Sequence, residues 1–512
     1  MKASTTPGAD QIVIIGAGVA GMCMGIRLKQ AGIDDFVILE KAGTVGGTWR
    51  DNTYPGCGCD IPSHLYSFSF APKPDWSSAY SPQPEIHRYL QHCAERFGLL
   101  GHIRFGIEVT EARYDEGACL WQVSTGNGDT IAARILVSGT GQLNRPLAPD
   151  IPGLDSFAGT AFHCARWRHD ADLRGKQVAV IGNGASALQF IPRIAPEAGK
   201  LTVFQRSANW VLPRNGEAYT AEQQARFRRH PWTARLHRWH LYLQRELRFG
   251  RMQRDSGRNR ELETLARRYL AHMIADPALR AKLTPDYPIG CKRILISDDF
   301  YQALKRPNVQ VETTRIARVE ADAVVTADGA RHPADAIIFA TGFDARSFLA
   351  PIRIHGRHGR TLADQWREDP EAYLGMTAPG FPNLFVLYGP NTNLGHNSII
   401  FMLECQARYV LQCIQACRSA RFASMEVRPE VVTRFNQALQ AAIGQTAWAG
   451  SCSSWYKSAS GRVINNWSSH ATAYWWKTRK PDWGHFVLRH ASDGGRYITG
   501  SQFTVDGGIT AQ

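Results

Sequence analysis

No stretch of the 512-residue chain holds the roughly 18 to 20 consecutive apolar residues needed to cross a bilayer. The opening Met1-Lys2-Ala3-Ser4-Thr5 carries no apolar leader segment, so a cytoplasmic location is the expectation. Cysteine is present without a framework: there are eleven, an odd number, and the tightest spacing, Cys57-Gly58-Cys59, is a CxC. The missing CxxC argues against a redox dithiol, and scattered thiols predict reduced cysteines in a reducing compartment. HExxH and ordered Cys/His spacings are also lacking, so no metal is predicted, and His237-Arg238-Trp239-His240 reads as a helix surface. Acidic residues are too few to balance the basic ones, leaving a net charge of +14. Between Arg226 and Arg268, thirteen arginines face only four acids. That stretch reads as helical, with a solvated charged face as its plain explanation; attraction of an anionic cofactor or contact with a membrane surface are the functional alternatives. No nucleic-acid recognition motif accompanies the charge.

What the chain does have is two glycine-rich turns, each directly after an apolar, β-branched run. Ile12-Val13-Ile14-Ile15 leads into Gly16-Ala17-Gly18-Val19-Ala20-Gly21, and Val178-Ala179-Val180-Ile181 into Gly182-Asn183-Gly184-Ala185-Ser186-Ala187. In such a turn the first glycine bends the chain, the second admits a pyrophosphate close to the backbone, and the third small residue lets helix pack on strand. Two dinucleotide sites are therefore expected. Twenty-four residues beyond each first glycine stand different groups, Glu40 after Phe36-Val37-Ile38-Leu39 and Arg206 after Val203-Phe204-Gln205. A carboxylate there suits ribose hydroxyls, whereas a guanidinium suits a ribose 2′-phosphate. The first site is read as one for FAD (or NAD), the second as one for NADPH.

With 44% hydrophobic and 20% charged residues, the composition is that of a globular chain of two or three domains. The predicted class is α/β, with two Rossmann-like dinucleotide-binding domains and a helical insertion. The expected divisions are a first FAD-binding part over 1–143, a first NADP-binding part over 144–215, and an Arg-rich helical insertion over 216–284. A second NADP-binding part follows over 285–340 and a second FAD-binding part over 341–484. Strands are expected to return near Ile337-Ile338-Phe339, and the stretch from Pro379 to Pro390 reads as a buried strand ending in a tight turn. The Gly-containing strand ends Ser138-Gly139-Thr140-Gly141 and Ala340-Thr341-Gly342 mark where the chain should cross between domains.

The segment Phe157-x-Gly159-x-x-x-His163-x-x-x-Trp167 resembles the short fingerprint of Baeyer-Villiger monooxygenases, and Gly46-Gly47-Thr48-Trp49 with Tyr54-Pro55-Gly56 and Asp60 resembles the longer one. The departure is Arg168, where the family usually has Pro or Asp. The resemblance spans about residues 10 to 484 and implies an FAD- and NADPH-dependent enzyme that inserts one atom of O2 beside a ketone carbonyl, by way of a C4a-peroxyflavin, to give an ester or lactone. Gly-x-Lys292-Arg293 is similar to the family's active-site segment. By that similarity Arg293 is the catalytic arginine, Asp60 its partner, and Lys292 a second contact for the 2′-phosphate. Gly47, Thr48, Trp49 and Asn391 are placed at the flavin on the same ground, and Phe157, Gly159, His163 and Trp167 are read as coupling the domains. His396 is read as a hydrogen-bonded structural histidine.

N- or S-oxygenation is the nearest alternative function, and a non-catalytic nucleotide sensor the alternative from another class. Residues 485–512, through Ala491-Ser492-Asp493 and Val505-Asp506-Gly507-Gly508, resemble instead the end of a short-chain dehydrogenase. Small-molecule ketone and O2 are the partners so implied.

Overall fold

The computed structural model describes residues 11–419 and 422–490. The first apolar run forms strand β1 (Ile12–Ile15), buried along its whole length, and helix α1 (Val19–Gln30) carries the chain over to β2 (Phe36–Glu40). Buried runs of this kind need a sheet covered on both faces, which is the parallel arrangement observed, with Ile12 opposite Phe36. Five strands complete this sheet in the order Leu384–Val386, Ile135–Ser138, β1, β2, Ile103–Phe105. The second run repeats the pattern as β3 (Gln177–Ile181), α2 (Ala185–Ile194) and β4 (Lys200–Phe204). Its five-stranded parallel sheet has the order Val309–Glu312, β4, β3, Ala336–Phe339, Thr160–His163.

The second sheet is thus built from chain inserted into the first. The polypeptide leaves the first sheet at Ser138 and returns to its far edge at Leu384. The outgoing and returning segments pair with each other, Leu147 N–H donating to the Gly342 carbonyl at 3.0 Å and Asp344 N–H to Arg145 at 2.9 Å. The crossing is therefore double-stranded.

In the chain between two strands of the second sheet, β4 and Val309–Glu312, runs the Arg-rich stretch, which is helical: α3 (Ala221–Arg229), α4 (Pro231–Arg248), and further helices over Gly257–Met273 and Pro277–Leu283. Thr220 caps α3 with a complete capping box through Gln223. The expected solvated charged face needs correction on α4. That helix buries Ala234, Tyr242, Arg245 and Glu246, while Trp232, Leu236, Trp239, Leu243 and Leu247 point outward.

Other differences concern short elements. Strands reappear well before Ile337, as Val309–Glu312 and as an antiparallel set over Ile316–Glu320, Ala323–Thr326 and Arg331–Pro333. The buried strand read over 379–390 is only Leu384–Val386. The expected boundary after residue 484 falls inside the fold, because Phe486–His490 pairs antiparallel with Phe422–Val427. The remaining tail, 491–512, lies outside the described residues. The cysteines are corrected too: Cys291 and Cys452 form a disulfide, and the other nine are buried free thiols. Among the described residues no helix is long and apolar enough to cross a membrane.

Candidate active site

Both glycine turns sit at the carboxyl ends of their central strands, where the strand order reverses and open parallel sheets bind ligands. Gly16 (φ +95°) and Gly182 (φ +107°) take the left-handed turn conformation. Gly21 is demanded by packing, since a Cβ there would lie 1.9 Å from the Gly16 carbonyl oxygen. Gly18 and Gly184 are different. Each has an ordinary negative φ at a helix N-terminus without a side-chain cap, and a Cβ at Gly184 would meet nothing within 4 Å among the described residues. Neither backbone strain nor protein packing requires glycine at Gly184, so the open space over each helix start fits a pyrophosphate held by free N–H groups. Ser186 and Ala187 follow in the first turn of α2, Ala187 fully buried.

The strand-end residues answer the two turns. Buried Glu40 takes the Ala17 N–H on Oε2 at 2.8 Å, which ties it to its own glycine turn, and the Ala42 N–H and Arg50 on Oε1. Oε2 keeps acceptor capacity for a ribose hydroxyl. Arg206 is exposed just beyond β4 and has no carboxylate within ion-pair distance among the described residues. Lys292 donates to Ser207 Oγ at 2.7 Å, and its pKa is lowered by burial and by the neighbouring Arg206 charge. Two like charges held together fit an anion such as a 2′-phosphate.

Gly46 and Gly47 bring the longer fingerprint onto the first turn. Gly46 N–H bonds the Ala17 carbonyl at 3.0 Å, and a Cβ on Gly47 would sit 3.1 Å from Gly18 Cα. Thr48 is exposed beside it, and Trp49 donates to the Tyr66 hydroxyl at 3.1 Å. Eleven residues beyond Trp49, the chain reaches Asp60, whose Oδ2 accepts from Arg293 Nε at 3.0 Å and Nη2 at 2.5 Å. Arg214 fixes the preceding backbone by donating to the carbonyls of Cys59 and Tyr80, both at 3.2 Å. Burial works to raise the Asp60 pKa, yet the Arg293 charge and hydrogen bonds hold it below the usual carboxylate value. Asp60 raises the Arg293 pKa in turn, against the effect of burial. The pair keeps an open side, with 31% of the Arg293 side chain and 28% of that of Asp60 exposed.

Tyr388 and Tyr456, both within the electrostatic reach of Arg293, have raised pKa values through burial, Tyr456 to about 12, with the Arg293 charge opposing. Both stay neutral hydroxyls through the neutral range. These tyrosines, with Arg245 donating to the Tyr80 hydroxyl at 2.9 Å, were not legible as site residues. The Cys291–Cys452 link joins the residue before Lys292-Arg293 to the loop bearing Tyr456.

Asn391 Nδ2 donates to the Val463 carbonyl at 2.8 Å and to the Asn466 carbonyl at 3.0 Å, which pins the 389–397 loop. The short fingerprint lies on the second sheet. A Cβ at Gly159 would lie 2.3 Å from the Asp335 carbonyl oxygen, and Phe157 packs beside it. His163, its pKa lowered by burial, accepts the Ala165 N–H at 3.1 Å. Trp167 packs on Phe190, which meets Tyr54 of the first unit at 6.1 Å. Gln189, absent from the expected set, bridges the same boundary by accepting from Tyr54 and returning a bond to the Gly58 carbonyl.

Glu246 on α4 anchors the insertion to the rest of the molecule. It accepts from Asn397 Nδ2, the N–H groups of Ala471 and Thr472, and the Thr472 hydroxyl, with buried His396 Nε2 at 3.5 Å. Burial alone would raise its pKa, but these partners lower it to about 2. A carboxyl depressed from about 4.3 to about 2 contributes about 3 kcal/mol of stability above its unfolded pKa, lost as pH falls through the folded one. Glu246→Gln should therefore lower unfolding free energy by about 2 to 3 kcal/mol at pH 6. Denaturation across pH should show the gap between the two proteins closing from about pH 5 toward pH 2. A gap independent of pH contradicts the assignment.

Comparison with known proteins gives a consistent picture. The sequence profile for pyridine nucleotide-disulphide oxidoreductases matches residues 13–221. A Baeyer-Villiger monooxygenase of Streptomyces coelicolor is 45% identical over 94% of this chain and 93% of its own length. One of Pseudomonas aeruginosa is 43% identical over 94% and 92%. Among solved structures, OTEMO in complex with FAD and NADP superposes with a TM-score of 0.85 at 31% identity, covering 94% of this chain and all of that one. With near full-length identity of this order to two such enzymes, the chain belongs to the Baeyer-Villiger monooxygenases.

Proposed function

We propose that the chain holds FAD on the first sheet and NADPH on the second, and uses O2 to convert a ketone into an ester or lactone. The balanced reaction takes ketone, O2, NADPH and a proton to ester, water and NADP+. The Arg293–Asp60 pair carries this reading, because it joins residues 233 apart in sequence into one fixed cation beside the longer fingerprint and the Lys292 anion site.

Bound flavin supplies the reduction of O2 and the nucleophilic oxygen. The protein's own residues do the rest. Glu40, Gly16, Gly18 and Gly21 orient the first dinucleotide, with Gly47, Thr48 and Trp49 over the turn. Gly182, Gly184, Ser186 and Ala187 orient the second, and Arg206 with Lys292 hold its 2′-phosphate. Arg293 presents a cation that does not titrate in the working pH range, aimed at the oxyanion that develops on the ketone oxygen. Asp60 keeps that guanidinium in place by accepting two of its N–H groups on one oxygen. Trp167, Phe190 and Tyr54 couple the two sheets across their boundary.

Purified protein loaded with FAD should oxidise NADPH faster when a ketone is added, with ester or lactone formed in proportion to NADPH consumed. A thioether added in parallel discriminates the nearest alternative. Sulfoxide from the thioether with no ester from any ketone of a broad panel would overturn the reading.

A further inference from the structure

The outward face of α4 is the opposite of what its sequence charge suggests. Trp232, Leu236, Trp239, Leu243 and Leu247 recur every three or four residues, so they form one stripe along the helix, and each is between 56% and 70% exposed. Five large apolar side chains standing together in water are costly for a surface and mark a contact site. The inner face of the same helix holds Arg245 and Glu246 against the body of the protein, so the stripe is fixed in position and cannot turn inward.

The rim of the stripe is cationic. Arg235 flanks it along the helix, with Arg229 beyond its start and Arg251 beyond its end, all exposed. Among the described residues, none of these three has a carboxylate within ion-pair distance. A second copy of this chain fits poorly, because pairing the stripe with itself would set this guanidinium rim against its own duplicate. An anionic surface with an apolar interior fits both features at once: the leucines enter the acyl boundary, the tryptophans sit at the headgroup level, and the arginines meet lipid phosphates. We propose that α4 is a peripheral docking surface for an anionic lipid bilayer, lying in its plane rather than spanning it.

The test uses the full FAD-loaded chain and its variant Leu236→Glu/Leu243→Glu, which changes two outward side chains and no residue of the site. Each is sedimented with vesicles of phosphatidylcholine alone or with about one third phosphatidylglycerol. Wild type should pellet with the anionic vesicles, less so at high salt and little with neutral ones, since the electrostatic part is screened. The variant should lose at least about tenfold of that binding while keeping its flavin and its thermal midpoint. Wild type remaining in the supernatant with both vesicles would overturn the proposal. So would equal binding by the variant, which would assign the attraction to net charge alone. Light scattering covers the rival occupant: a dimeric wild type and monomeric variant, with no vesicle binding, would make the stripe an interface between copies. Because none of these readouts depends on oxygenation, failure here is separate from failure of the proposed reaction.

Discussion

Arg293→Ala should leave a folded, flavin-loaded protein whose ester formation falls by about 10² to 10³, the scale of losing one preorganised oxyanion-stabilising donor. Folding should survive because Arg293 lines an open site rather than the core, and the Asp60 carboxylate left behind retains water access, being 28% exposed. Arg293→Lys should not restore the activity. In the native pair, Nε and Nη2 of one planar group both reach Asp60 Oδ2, which leaves the remaining guanidinium N–H groups directed elsewhere. A single ammonium cannot bind Asp60 in that way and also present donors in a fixed plane. Flavin absorbance, NADPH oxidation and ester yield measured together separate the outcomes. Ester yield per NADPH at the wild-type level in the alanine variant would remove Arg293 from the mechanism.

The coenzyme preference should respond as strongly at a different place. Arg206 and Lys292 are held side by side, with no carboxylate at ion-pair distance from Arg206 among the described residues, an arrangement that raises the energy of the ligand-free site and is relieved by a phosphate dianion. Each charge-assisted contact contributes about 1.5 to 3 kcal/mol, so Arg206→Ala or Lys292→Ala should cut kcat/KM for NADPH by about ten- to a hundredfold. NADH lacks the 2′-phosphate and should be affected little. The double variant should approach equal use of both coenzymes. An unchanged NADPH-to-NADH ratio in Arg206→Ala would mean the phosphate is held by other residues.

The parts of the site that were legible from sequence are those whose chemistry is local. A buried strand, a tight turn needing positive φ and a helix start lie within ten residues of one another, so Gly16 and Gly182 announce themselves, and Glu40 and Arg206 follow one βαβ unit later. Asp60 and Arg293 were readable only through resemblance, since nothing in their separate surroundings points one toward the other. Tyr388, Tyr456, Arg214 and Arg245 were not readable at all: they arrive from four distant segments, and only tertiary packing brings them around that pair. Cys291 and Cys452 are 161 residues apart, and no spacing rule joins cysteines at that distance. The arginine run misled for a different reason. Composition counts charges without assigning them to faces, and on α4 the inner face takes Arg245 while the outer takes tryptophan and leucine. The short strands between Ile316 and Pro333 escaped notice because three to five residues give too few repeats for a period to show.

The fate of isotopic oxygen distinguishes insertion of one atom of O2 into the ketone from simple reduction of O2. The FAD-loaded protein is incubated with NADPH and a ketone under ¹⁸O2 in ordinary water, and the product is examined by mass spectrometry. The expected product is an ester or lactone carrying one ¹⁸O atom, at the newly inserted position between the carbonyl carbon and the migrating carbon, with the second atom recovered as water. Unlabelled ester, or NADPH consumed with hydrogen peroxide as the sole oxygen product across a broad ketone panel, would contradict it.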